Sequence, residues 1–160
     1  MLTTTILPFE NAWHRDHVIA LWQSVFGYET AHNRPDFVID KKIAVSDGLF
    51  FVATVDAEVV GTVMAGYDGH RGWIYSVAVH PLRRKQGIGA ALVLHAERAL
   101  AAKGCMKINL QIMEGNESVA AFYSTLGYSV EKRVSMGRRI NENIPVTPDV
   151  SQPASKPRPI

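Results

Sequence analysis

The stretch Val79–Ala91, VHPLRRKQGIGAA, decides how this chain reads. A strand-like run, Trp73–Val79, ends at His80-Pro81, and three basic residues follow, Arg83, Arg84 and Lys85. Gln86-Gly87-Ile88-Gly89 then opens a long helical pattern. A glycine turn feeding a helix start leaves backbone N–H groups without intrahelical partners. The helix dipole adds partial positive charge there, so the site suits a phosphate. A Cβ would hold the anion off the backbone. Taken alone, glycines at a helix start are more simply caps or packing residues. The spacing excludes two familiar phosphate loops. A P-loop needs Lys-Ser/Thr after its last glycine, and Gly89 is followed by Ala90-Ala91. A dinucleotide fingerprint needs three glycines and a later acidic residue, and only two glycines are present.

Arg84-x-x-Gly87-x-Gly89 resembles the Arg/Gln-x-x-Gly-x-Gly/Ala pyrophosphate loop of the GNAT family of N-acetyltransferases. It departs at Lys85, where many members carry glycine. A second segment, Asn116–Tyr128 or NESVAAFYSTLGY, resembles the family's later motif, with Asn116, Tyr123, Gly127 and Tyr128 at its marked positions. The residues themselves read as a helix. Asn116 is a good N-cap, Glu117 suits the first turn, and Gly127 suits a left-handed end. Without the first motif, Tyr123 would read as a core aromatic. The resemblance covers roughly Phe50 to Arg139.

That resemblance implies a site. Arg84, Lys85, Gln86, Gly87, Ile88, Gly89 and Ala90 would hold the pyrophosphate of acetyl-CoA, with Asn116 as a further cofactor contact. Backbone near Val77 and Val79 would pair with the pantetheine arm as an added strand would, and an N–H near Val77 would polarise the thioester. Tyr123 would be the general acid for the leaving thiolate. The base stays open. Some members carry a glutamate where this chain has Gln111, which takes no proton at neutral pH. Glu114, or a water oriented by Tyr75 or Ser76, could serve, as could an acceptor that arrives partly neutral. The polar loop Asp68, His70, Arg71 reads either as a solvated turn or as an acceptor-recognition loop, with Tyr75 and Gln111 as further substrate contacts. The run Gly61–Gly72, GTVMAGYDGHRG, looks like that of a small bacterial subgroup of uncertain acceptor.

At 160 residues the chain is expected to form one domain. A hydrophobic content of 47% with 20% charged residues reads as soluble and globular. A net charge of +2 is too small to argue nucleic-acid binding, and no apolar run reaches transmembrane length. No signal peptide is visible, and the single cysteine, Cys105, fits a reducing cytoplasm and a packed thiol. His14 and His17 lie three apart, but no further ligands accompany them, so no metal is expected.

Along the chain, Thr3–Leu7 reads as a strand and 14–26 as a helix carrying Val18, Leu21, Trp22 and Val25 on one face. Pro35 suits the first turn of a second helix to Val45, whose apolar face would include Ile39 and Ile43. Leu49–Val55 and Glu58–Ala65 read as strands around an Asp56-Ala57 turn. Residues 66–72 read as loop. The helix after Gly87 would run to Lys103 with Ile88, Leu92, Ala96 and Ala99 buried. Met106–Ile112 reads as a strand, and 128–140 as one or two closing strands. Residues 141–160 hold five prolines and read as a disordered tail, leaving 1–140 as the domain. The alternation argues an α/β fold with helices on both faces. The resemblance implies a largely antiparallel mixed sheet whose central strands splay apart.

The leading expectation is an acetyl-CoA-dependent enzyme that acetylates a primary amine, as a monomer or homodimer. The amine could be a small molecule, an amino acid or a protein N-terminus. The alternatives are a non-catalytic acyl-CoA-binding module and, more weakly, a nucleotide-binding enzyme.

Overall fold

Phe50–Val55, FFVATV, is buried at all six positions, so this strand must be covered on both faces. A computed structural model, which describes residues 3–27 and 33–140, shows how. Phe50 and Val52 pack with Val18, Leu21 and Trp22 of one helix layer. Phe51, Ala53 and Val55 pack with Leu92, Val93, Ala96 and Leu100 of the other. The period-two alternation of a strand delivers one sequence to two cores.

The elements run β1 Thr5–Pro8, α1 Asn11–Phe26, α2 Pro35–Val45, β2 Phe50–Val55, β3 Glu58–Tyr67 and β4 Gly72–Val79. A short 3₁₀ turn, Pro81–Arg83, leads to α3 Ile88–Ala102, β5 Ile108–Asn109 and α4 Glu117–Thr125. The sheet order is β1-β2-β3-β4-β5. The first three pairings are antiparallel, and β5 joins β4 in parallel after the α3 crossover. This is the mixed, largely antiparallel sheet with helices on both faces. The β4–β5 ladder holds only Gly72↔Ile108 and Trp73↔Asn109. Among the described residues β4 continues to Val79 with no further pairing to the segment after Asn109.

Several expectations shift. β3 extends through Tyr67 because Gly66 and Tyr67 pair with Trp73 and Gly72, leaving only 68–71 as loop. Ile43 is exposed, and α2 instead buries Ile39 and Lys42. Leu100 takes the buried place expected of Ala99 on α3. The strand expected over 106–112 shrinks to Ile108–Asn109, since β4 runs alongside it for only two residue pairs.

Two compact units divide the chain, Met1–Tyr128 and Ser129–Ile160, and every described helix and strand lies in the first. The closing strands expected over 128–140 are not among the described elements. The expected tail, 141–160, lies outside the described residues. Among the described residues, no helix is long and apolar enough to cross a membrane.

Candidate active site

The loop after β4 is built by its own side chains and backbone. His80 caps the 3₁₀ turn, its Nδ1 accepting from the Leu82 N–H at 3.2 Å. Lys85 (φ 59°) and Gly87 (φ 80°) then take left-handed conformations. Gly87 suits its angle; Lys85 bears a strain of roughly 1 kcal/mol or more that a glycine there would not. Gly87 is the N-cap of α3, and no side chain caps the helix. The first helical bond runs from the Ala91 N–H to the Gly87 carbonyl at 3.0 Å. The N–H groups of Ile88, Gly89 and Ala90 therefore precede the helical ladder. Arg84, Lys85 and Gln86 stand exposed around them, Arg84 leaning on the Val79 carbonyl at 3.4 Å. Uncapped amides beside two cations fit a pyrophosphate.

The end of β4 meets that loop. The β3–β4 register jumps between Thr62↔Ala78 and Met64↔Tyr75, so Ser76 and Val77 together oppose Val63. Ser76 sits at φ 50°, in the left-handed region. This is a β-bulge, and it re-aims the last residues of β4. Val77 and Val79 pack toward the core shared by α3 and α4. Gly89 carries the contact onward: a Cβ there would lie 3.5 Å from Val79 Cγ2 and 3.3 Å from Phe122 Cζ of α4. The ring of Tyr123 stands at 66° to that of Phe122, centroids 5.0 Å apart.

Tyr123 is 7% exposed, and burial pushes its phenol up to about 12. It keeps its proton throughout the neutral range. Its other neighbour is Tyr128, at 5.5 Å and 75°. The Tyr128 hydroxyl donates to Glu97 at 2.8 Å, and burial together with that carboxylate raises its pKa strongly. Asn116 occupies the N-cap position of α4 but makes no capping bond; its Oδ1 accepts from the Ser118 hydroxyl at 3.3 Å. Gly127 closes α4 at φ 91°.

On the α2 side a shallow cavity of about 370 Å³ is lined by Lys42, Val45, Asp47, Gly66, Tyr67, Asp68, Trp73 and Tyr75. The Lys42 side chain is 5% exposed. It donates to Asp47 at 2.7 Å and to the Ala65 carbonyl, and its ammonium lies 5.6 Å from the Tyr75 ring centroid. Asp68 Oδ1 accepts the backbone N–H groups of Arg71 (2.6 Å) and His70 (2.7 Å), which hold its carboxyl below the usual range. That bonding is a turn lock, so the turn reading accounts for Asp68 itself. His70 and Arg71 touch each other at 3.2 Å beside it. Gln111 lies two residues past β5. Among the described residues no group of three or more His, Cys, Asp or Glu is placed to hold a metal ion.

The pattern of the acetyltransferase (GNAT) family matches residues 11–128. The chain belongs to the GNAT family. Solved structures share the fold at low identity. An aminoglycoside N-acetyltransferase in complex with CoA matches at 18% identity and a TM-score of 0.71, over 87% of this chain and 96% of that one. Glucosamine-6-phosphate N-acetyltransferase from Arabidopsis thaliana matches at 22% and 0.64, over 87% and 99%. PaiA N-acetyltransferase from Thermoplasma acidophilum, in complex with coenzyme A, matches at 18% and 0.71, over 83% and 94%.

The fold brings Val79 of β4, Gly89 of α3, and Phe122 and Tyr123 of α4 into one neighbourhood from three segments, with Gly87 at the N-cap of α3. It keeps Asp68, Tyr75 and Lys42 together at the cavity on the α2 face. Lys42 and Thr62 escaped the sequence reading. Thr62 had a signal, as the one hydroxyl in the apolar run VVGTVMAG; Lys42, beside Lys41 on a helix, had none.

Proposed function

We propose that this GNAT protein moves an acetyl group from acetyl-CoA to a primary amine. The observation that carries it is the uncapped α3 N-terminus behind a left-handed Gly87, following the end of β4 that lies beyond its two-pair ladder with β5. The N–H groups of Ile88, Gly89 and Ala90, with Arg84, Lys85 and Gln86, take the pyrophosphate. Asn116, whose side chain makes no capping bond to α4, adds a contact. The backbone at Val77 and Val79 takes the pantetheine arm along the side of β4 that β5 leaves.

Transfer forms a C–N bond and breaks a C–S bond; the nitrogen gives up one proton and the sulfur gains one. The Val77 N–H polarises the carbonyl. Tyr123 offers its hydroxyl to the sulfur. A phenol near 12 is a weaker acid than a thiol near its ordinary value of about 8.5, so its part is a strong hydrogen bond as charge develops, completed by solvent. No carboxylate base is assigned at Gln111; the amine loses its proton to water or arrives neutral. Tyr75 and Asp68, on the cavity wall, with His70 and Arg71 of the same loop, and Gln111 after β5, are the acceptor-side residues.

The test is thiol release from acetyl-CoA against a panel of small amines, amino acids and N-terminal peptides. Acceptor-dependent release is expected from at least one class. Binding of acetyl-CoA without release from any class would favour a binding-only module.

A further inference from the structure

The bulge at Ser76 is held from behind. Thr62 lies in the middle of β3, completely buried, within the apolar layer under α1. Its hydroxyl accepts from the Trp22 indole N–H at 2.8 Å and donates to the Ser76 carbonyl at 2.9 Å. Trp22 is itself 1% exposed. A hydroxyl has a single hydrogen, so the indole donor fixes which way it is spent. The relay therefore runs in one direction, from α1 through β3 to the bulge of β4.

The Ser76 carbonyl and the Val77 N–H belong to one planar peptide, and among the described residues no peptide bond is cis. In a trans peptide the two groups point in opposite directions. With the carbonyl held by Thr62 on β3, the Val77 N–H points away from β3, toward the side of β4 where β5 has parted. Ser76 has no glycine-like freedom, yet it holds φ 50°. Something outside the strand must stabilise that angle, and a buried hydroxyl on the carbonyl does so.

We propose that Thr62, fixed by Trp22, is a positioning residue that aims the Val77 N–H at the acyl carbonyl. The inference rests on the acetyl-CoA reading above and adds to it a residue on the opposite face of the sheet. Thr62 touches no reacting atom; it acts through the Ser76–Val77 peptide. Its loss misplaces a donor that matters most as the carbonyl oxygen gains charge.

The experiment is isotope-edited infrared spectroscopy of acetyl-CoA, ¹³C-labelled at the carbonyl, bound to the full chain. Calorimetry of the same samples confirms occupancy. In the wild type the carbonyl band is expected below its position in free acetyl-CoA. Thr62→Val keeps the shape and removes the hydroxyl, and the band should move back toward the free position. Thr62→Ser keeps the hydroxyl and should keep the shift. With an accepted amine, Thr62→Val should lower kcat roughly tenfold or more while KM for acetyl-CoA stays nearly constant. Should Thr62→Val not fold, Trp22→Phe carries the same test, with a smaller return of the band. An unchanged band in a folded, occupied Thr62→Val or Trp22→Phe protein overturns the positioning role and leaves the acetyl-CoA reading standing. A wild type that binds no acetyl-CoA overturns both.

Discussion

Gly89 stands where a Cβ would lie 3.3 Å from the Phe122 ring. The first turn of α3 and the middle of α4 thus approach each other through the absence of a side chain. The same glycine answers two demands in the proposed site, an anion at its N–H and an aromatic ring behind its Cα.

Gly89→Val is expected to weaken acetyl-CoA binding and also to lower stability, by about 1–3 kcal/mol, because the branched Cβ meets Phe122. The two effects separate in the double variant Gly89→Val, Phe122→Ala. There the overpacking is relieved and the melting temperature should partly recover, while acetyl-CoA affinity stays low. Recovery of affinity along with stability would mean that Gly89 serves packing alone.

Tyr123→Phe keeps the edge-on contacts with Phe122 and Tyr128 and removes the hydroxyl. The expected loss in kcat is on the order of a hundredfold, with little change in KM for acetyl-CoA. The wild-type pH–rate profile should show no limb from this phenol near 10, since burial holds it near 12. Turnover of the variant within about twofold of wild type would mean that the Tyr123 hydroxyl gives the developing charge on sulfur no hydrogen bond that matters.

Alkaline stability depends on the same burial. Tyr123 and Tyr128 both have folded pKa values raised above the ordinary 10.0. The unfolded chain therefore releases these protons first, and the folded state binds more of them above that pH. The stability they contribute is complete below about 10 and is lost as pH rises through the folded values. Urea melts from pH 8 upward should show the midpoint falling only in the alkaline range. Tyr128→Phe should make that fall shallower and, at neutral pH, cost about 1 kcal/mol for the lost bond to Glu97. An alkaline fall identical to wild type would separate Tyr128 from it.

The hairpin between β2 and β3 turns through Asp56 (φ 50°) and Ala57 (φ 65°), two left-handed residues that carry a Cβ. Ala57→Gly relieves one of them. The gain, net of the entropy glycine adds to the unfolded chain, should be roughly 0.5–1 kcal/mol, readable as a higher urea midpoint. A lower midpoint would mean that Ala57 is not strained as its angle implies.

How much of the fold and the site was legible depends on what carries the signal. Apolar periodicity placed α1 and α2, and β-branched content placed β2 and β3, whose residues divide between the two cores. Local chemistry placed the turns: Gly87 and Gly127 are left-handed as the helix ends require. The bulge was invisible, since Ser76 carries no residue-type mark for a left-handed angle. What holds it is a threonine on another strand and a tryptophan on a helix. Lys42 was invisible for the same reason, as its burial depends on Asp47, Ala65 and Tyr75 meeting in space. Asn116 was read for its position, which is correct, but its side chain bonds the Ser118 hydroxyl rather than a backbone N–H of the helix. The length of β5 was misjudged because a strand needs a partner, and β4 leaves it after two residues.

The most direct measurement is a thermal melt of the full chain with and without excess acetyl-CoA, beside matched melts with adenosine. A ligand that binds only the folded state raises the melting temperature by an amount that grows with the logarithm of its concentration above Kd. With the proposed pyrophosphate site at the amides of Ile88, Gly89 and Ala90 and the cations of Arg84 and Lys85, acetyl-CoA should shift the melt upward, and by clearly more than adenosine. No shift at millimolar acetyl-CoA would contradict the acetyl-CoA site on which the proposed activity rests.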